Sequence, residues 1–182
     1  MPRTLRPAPG LPALAPDPKD PAMNDDTWTL VTDVVGRVQR AIGLKDAPAI
    51  VILDGDRRQI LSDYDYLRDQ DATVAFEHKA AEHARALNLR RFAFAVPQVV
   101  IETEPGIYSA RAVSNHPLRP GEQETIAWTA YDTTDGADFG FAPYTRRPNG
   151  RPVFDEPEIF DVPMRAEARM PGVRLLRQLT DS

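Results

Sequence analysis

The chain contains no cysteine. That removes disulfide frameworks, thiolate nucleophiles, zinc ribbons and iron–sulfur clusters from consideration, and it suits a reducing compartment such as the cytoplasm. Histidine is nearly as scarce: His78, His83 and His116 carry all the imidazole chemistry available. Lysine is confined to Lys19, Lys45 and Lys79, so the basic residues are mostly arginine. With the alanine, proline and aspartate bias, this is the usage of a GC-rich, bacterial-type genome. A basic field is missing as well. The net charge is −5, which makes nucleic acid an unexpected partner. No stretch approaches the roughly 20 consecutive apolar residues of a membrane span. Walker A, G-x-S-x-G and glycine-rich phosphate loops are absent.

What is present is enough for one domain with its own core: 182 residues, 42% of them hydrophobic and 27% charged. Residues 1–23 start with a base, as a signal peptide does. However, Pro7, Pro9, Pro12 and Pro16 interrupt the apolar run, so the segment reads as a disordered proline-rich tail. Beyond it, "DDTWTLVTDVVGRVQRAIGL" places Leu30, Val31, Val34, Val35, Val38, Ala41 and Ile42 on one side of a helix. Asp26 or Thr27 is the expected cap and Gly43 the expected stop. "PAIVILDGDRRQILSD" reads as a β-hairpin turning at Asp54-Gly55.

The stretch "TVAFEHKAAEHARAL" follows, then three strands: "RRFAFAVPQVVIETEPG", "IYSARAV" and "QETIAWTAYD". Pro97 demands an edge or a bulge in the first of these. After residue 134, Pro143, Pro148, Pro152, Pro157 and Pro163 break any regular ladder, and "GVRLLRQL" makes two helical turns. The expectation is an α+β domain over residues 24–134, a mainly antiparallel sheet with two amphipathic helices in the order α-β-β-α-β-β-β. An extended proline-rich arm and short helix over residues 135–182 pack on it. That order resembles small bacterial sensory and regulatory modules of the roadblock or PAS-like kind.

The densest group of chemically capable residues is Glu77, His78, Lys79, Glu82 and His83. His78 and His83 are five apart, about 140° around a helix, which prevents chelation from one face. As a strand, the stretch would set Glu77 and Lys79 on one face, with Asp63 or Asp65 as the second acid of a Mg²⁺-dependent nuclease-type hydrolase. As a helix, it puts Phe76, Ala80, His83, Ala84 and Leu87 on an apolar side and His78, Glu82 and Arg85 on a charged one. The periodicity favours the helix. Glu77→Ala would then separate the readings, abolishing cleavage in a hydrolase and leaving a non-catalytic module almost unchanged. Asp63-Tyr64-Asp65 opens like a calcium loop, but Arg68 and Val74 occupy the positions that need glycine and glutamate.

The binding site favoured by sequence is the turn "YTRRPNGRPVF". Arg146, Arg147 and Arg151 surround Asn149-Gly150, with Tyr144 and Phe154 alongside, a pattern suited to an acidic patch on a partner. Function is therefore expected to be non-enzymatic, through a protein partner or a homodimer, with no metal or other cofactor. A small-ligand sensor would require a cavity between the sheet and the two helices.

Overall fold

A computed structural model describes residues 23–114, 116–160 and 170–181 of the chain. The expected proline-rich tail, and the part of the arm around Pro163, lie outside the described residues. The fold is α+β, with an antiparallel sheet and three helices among the described residues.

Helix α1 spans Asp25–Gly43. Its cap is Asn24, two or three residues earlier than Asp26 or Thr27: the Asn24 side chain accepts from the Thr27 N–H at 2.8 Å. The chain leaves beyond Gly43, and Lys45 rather than a glycine takes the left-handed conformation. Val31, Val34, Val35 and Val38 are buried on this helix, although each is about 0.5 kcal/mol poorer than alanine as a helix former. Burying each side chain is worth about 1.5–3 kcal/mol, so packing, not propensity, holds α1.

The strands are β1 (Ala49–Asp54), β2 (Arg58–Asp63), β3 (Arg91–Glu104), β4 (Ile107–Ala112), β5 (Glu122–Asp132), β6 (Gly136–Arg146), β7 (Pro152–Phe154) and β8 (Glu158–Ile159). The sheet order is β2-β1-β3-β5-β6-β7, with β4 also on β3 and β8 also on β6. Helix α2 (Gln70–Ala86) connects β2 to β3, and α3 (Val173–Thr180) ends the described chain.

Proline did not break the ladder where sequence predicted. Strand β3 is central and runs unbroken through Pro97. One flank of it is shared by two short strands, β1 pairing as far as Ala95 and β4 beginning at Gln98. Pro97 sits at that joint, where a missing N–H is tolerated. Pro143 repeats the device in β6, between Phe141, the last residue paired by β8, and Tyr144, the first paired by β7. Strand β6 is thus a full member of the sheet, paired with β5 from Asp132↔Gly136 to Thr125↔Pro143. The boundary expected at residue 134 falls inside the β5–β6 turn.

The alternation "FAFAV" sorts β3 between two cores. Ala93 and Ala95 face α1, together with Trp128, Ala130, Ala142 and Tyr144; the small residues let the helix sit close. Phe92, Phe94 and Val96 face the opposite way, against Phe76, Ala80 and Ala84 of α2 and Leu175 of α3. The helices therefore lie on opposite faces of the sheet. There is no space shared by the sheet and both α1 and α2 for a ligand to fill.

One end of the sheet is tied by Arg91, whose guanidinium meets Asp132 at 3.0 Å, Asp54 at 3.1 Å and Asp26 at 3.6 Å. Burial opposes ionisation of Asp132. Hydrogen bonds from the Thr134 N–H and Arg91 overcome it and hold the carboxyl down to about 2.

Candidate functional site

The stretch 73–87 is helical, and its apolar and charged sides fall where periodicity put them, apart from Glu77. Phe76, Ala80, Ala84 and Leu87 are buried; His78, Lys79, Glu82 and Arg85 are exposed. His83 is half-buried with Nδ1 3.2 Å from Gln59 Oε1, and His78 contacts Gln178 of α3 at 3.1 Å.

Glu77 departs from the expectation. It is 2% exposed, accepting from the Tyr66 hydroxyl at 2.9 Å and from the Leu175 N–H at 3.1 Å. Burial pushes its carboxyl above the ordinary value, and the bonds from Leu175 and Tyr66 hold it down part of the way. Tyr66, 3% exposed, has its phenol pushed up by burial and by the Glu77 charge, while an N–H from Gly172 acts in the other direction. Helix α3 begins at Gly172, which has no capping side chain and a φ of 85°. One of its first N–H groups, that of Leu175, is satisfied across the core instead, by Glu77.

The strand needed for a nuclease-type Glu-x-Lys is therefore not formed, and Glu77 and Lys79 lie on different sides of α2. Asp63 accepts from the Asp65 N–H at 2.8 Å, and Asp65 pairs with Arg68 at 3.2 Å. No group of three or more His, Asp or Glu side chains suited to a metal ion occurs among the described residues. Glu77→Ala cannot separate enzyme from module, because it removes a structural cap in either case.

The arginine turn forms as a β6–β7 hairpin, with Gly150 at φ 82° donating to Arg147 O at 2.8 Å. Its residues are not all available. Arg146 forks onto Glu124, with Nε at 2.8 Å and Nη2 at 3.1 Å, and its guanidinium lies 5.6 Å from the Tyr144 ring centroid. Tyr144 is 1% exposed in the core beneath α1, and Phe154 packs on it at 5.3 Å. Tyr144 cannot stack on anything arriving from outside, while Phe154 is half-buried against it. Arg147 and Arg151 remain exposed at the tip.

A different surface brings chemically useful groups together. Helices α2 and α3 cover Phe92, Phe94 and Val96 of their face, but that face continues along β3 beyond Val96. There Val100, Ala127 and Phe141 form a separate small cluster, with half-buried Phe160 and Met170 packed against it. Cross-strand pairing sets Glu102 opposite Tyr108, Val100 opposite Gln123, and Ala127 opposite Phe141. Tyr108 and Phe160 lie nearly parallel, at 6.0 Å and 19°, and both stand edge-on to Phe141, at 5.2 Å and 4.7 Å.

These rings line a cleft of about 250 Å³ with Val100, Thr125, Pro143, Glu102 and Glu158. The ionisable groups of the lining besides the phenol are both acidic, and burial and then those two charges push the Tyr108 phenol up. Glu102 accepts from the Gly106 N–H at 2.7 Å, whereas Glu158 has no ion pair among the described residues. Thr125 is fully buried, and its hydroxyl has no hydrogen-bond partner among the described residues. Nine large hydrophobic side chains are exposed among the described residues, and of these only Tyr108 lines the cleft. A second cleft, of about 330 Å³, lies at the end of α2 between Arg85, Asn88, Tyr131 and Leu179.

Sequence reasoning missed this surface. The period-2 spacing of Phe139 and Phe141 was legible, but Tyr108 and Phe160 come from distant segments and meet only through strand register. No helix among the described residues is long and apolar enough to cross a membrane. No protein-family model matches the chain, and neither a curated protein nor a solved structure was found to match it.

Proposed function

We propose that this chain is a non-enzymatic, cytoplasmic regulatory or interaction module that receives a partner protein on the part of its sheet that no described helix covers. The observation that supports this reading is the asymmetry of the α2/α3 face. Among the described residues, two helices bury one part of it, while the next part presents Tyr108 and Phe160 over Phe141 around a cleft. Aromatic side chains are the commonest anchors of interaction surfaces. The exposed tip arginines, Arg147 and Arg151, supply a second point of contact for an acidic partner.

Tyr108→Asp tests the reading. Tyr108 is 43% exposed but packs on Phe141 and Phe160, so the variant should lose about 1–3 kcal/mol, or about 2–12 °C in Tm, and is compared below its own Tm. A protein that co-purifies stoichiometrically with the parent should be lost with Tyr108→Asp and retained with Tyr64→Asp, a change at a 65% exposed tyrosine outside the cleft. Equal retention by both variants would remove this surface from the binding.

A further inference from the structure

We infer that the cleft accepts an arginine side chain carried by a basic segment of the partner. The inference rests on the docking reading above and specifies its ligand. Charge complementarity comes first. Glu102 and Glu158 flank the aromatic walls, no basic residue among the described ones lines the cleft, and the chain as a whole carries −5. A cation over aromatic faces with carboxylates alongside is attracted by both.

Geometry points to guanidinium. A planar fork can donate to Glu158 while its face rests on Tyr108 or Phe160. The opposite side of the same sheet holds a completed version of this arrangement. There Arg146 lies 5.6 Å from the Tyr144 centroid, forks onto Glu124 at 2.8 and 3.1 Å, and is joined by Phe154. Among the described residues, the cleft repeats the tyrosine, the second aromatic and the carboxylate without an arginine.

The test is a titration of the full-length, isotopically labelled chain, followed by amide chemical shifts. The probes are acetyl-Gly-Arg-Gly-amide, its citrulline counterpart (equal in shape, without charge) and the leucine counterpart. The expected result is saturable shifts at Val100, Tyr108, Thr125, Phe141 and Glu158 with the arginine peptide. The citrulline peptide should bind about tenfold more weakly, the size of one charge-assisted hydrogen bond. Glu158→Gln should reduce arginine binding severalfold and leave the spectrum otherwise unchanged, since Glu158 supports no ion pair among the described residues.

Absence of saturable shifts with the arginine peptide overturns the inference. So does citrulline binding of equal strength. Leucine binding at the same amides overturns it too, while leaving the docking reading intact. Methylguanidinium binding as tightly as the peptide would make a free small cation the occupant. Dilution-dependent shifts at these amides without any peptide would make it a second copy of the chain. Either result ends the proposal of a partner segment.

Discussion

Removing the Glu77 carboxylate probes the interior of this fold at one atom group. Glu77→Ala strands the Tyr66 hydroxyl and the Leu175 N–H, which bond to it at 2.9 and 3.1 Å. Each buried donor left unsatisfied costs about 1–3 kcal/mol, and relief from burying a charge returns part of that. The net loss should be about 2–4 kcal/mol. For a chain of this size that lowers Tm by about 5–15 °C. Glu77→Gln keeps a carbonyl acceptor for Leu175 without the charge, and should lose less than about 1 kcal/mol.

The pH dependence follows from the direction of the shift. The carboxyl titrates higher in the folded chain than in the unfolded one. Between the unfolded value, about 4.3, and the raised folded value, the native state binds more protons. Stability therefore falls as pH rises through that window, and Glu77→Gln removes that part of the slope. Urea denaturation across pH measures the global effect, and hydrogen exchange at Leu175 reports the docking of α3. An alanine variant within about 0.5 kcal/mol of the parent, with Leu175 still protected, would refute the cross-core cap.

Two other changes test the supports of the sheet. A Cβ at Gly140 would meet Glu158 O at 1.7 Å and Trp128 Cζ2 at 2.7 Å. Gly140→Ala should therefore displace β8 and Phe160, cost about 1–3 kcal/mol in denaturant, and change the tryptophan emission. Unchanged stability would mean that β8 does not lie against β6. Asp132 titrates at about 2 in the fold, below its unfolded value of about 3.9. Its contribution is complete above that value and lost as pH falls through 2, so Asp132→Asn should flatten the acid limb of a stability–pH curve. A limb of unchanged steepness would count against it.

The parts of the fold legible in sequence were those written in local periodicity. Val34, Val35 and Val38 announced the buried face of α1. Phe92 and Phe94 alternating with Ala93 and Ala95 announced a strand buried on both sides, and Ala80 and Ala84 made α2 a helix. The prolines misled because their cost depends on what lies opposite. Pro97 and Pro143 sit at joints between short partner strands, and only the register reveals a joint. Arg146 and Tyr144 misled for a related reason: Glu124, two strand positions from Ile126, was not visible as their partner, so an internal ion pair read as a free binding site. Glu77 looked like surface because its partner, the start of α3, lies 98 residues away. The cleft stayed hidden because its walls come from β3, β4, β5, β6, β8 and the residue after it.

The central claim is that a partner docks beside Tyr108, on the part of the sheet that no described helix covers. It is tested most directly by placing a photo-crosslinking benzoylphenylalanine at position 108, and separately at position 64, in cells that produce the chain. The reading predicts one discrete adduct with a different protein at position 108 and none at position 64. An identical ladder of adducts at both positions, or no adduct at 108, would contradict it.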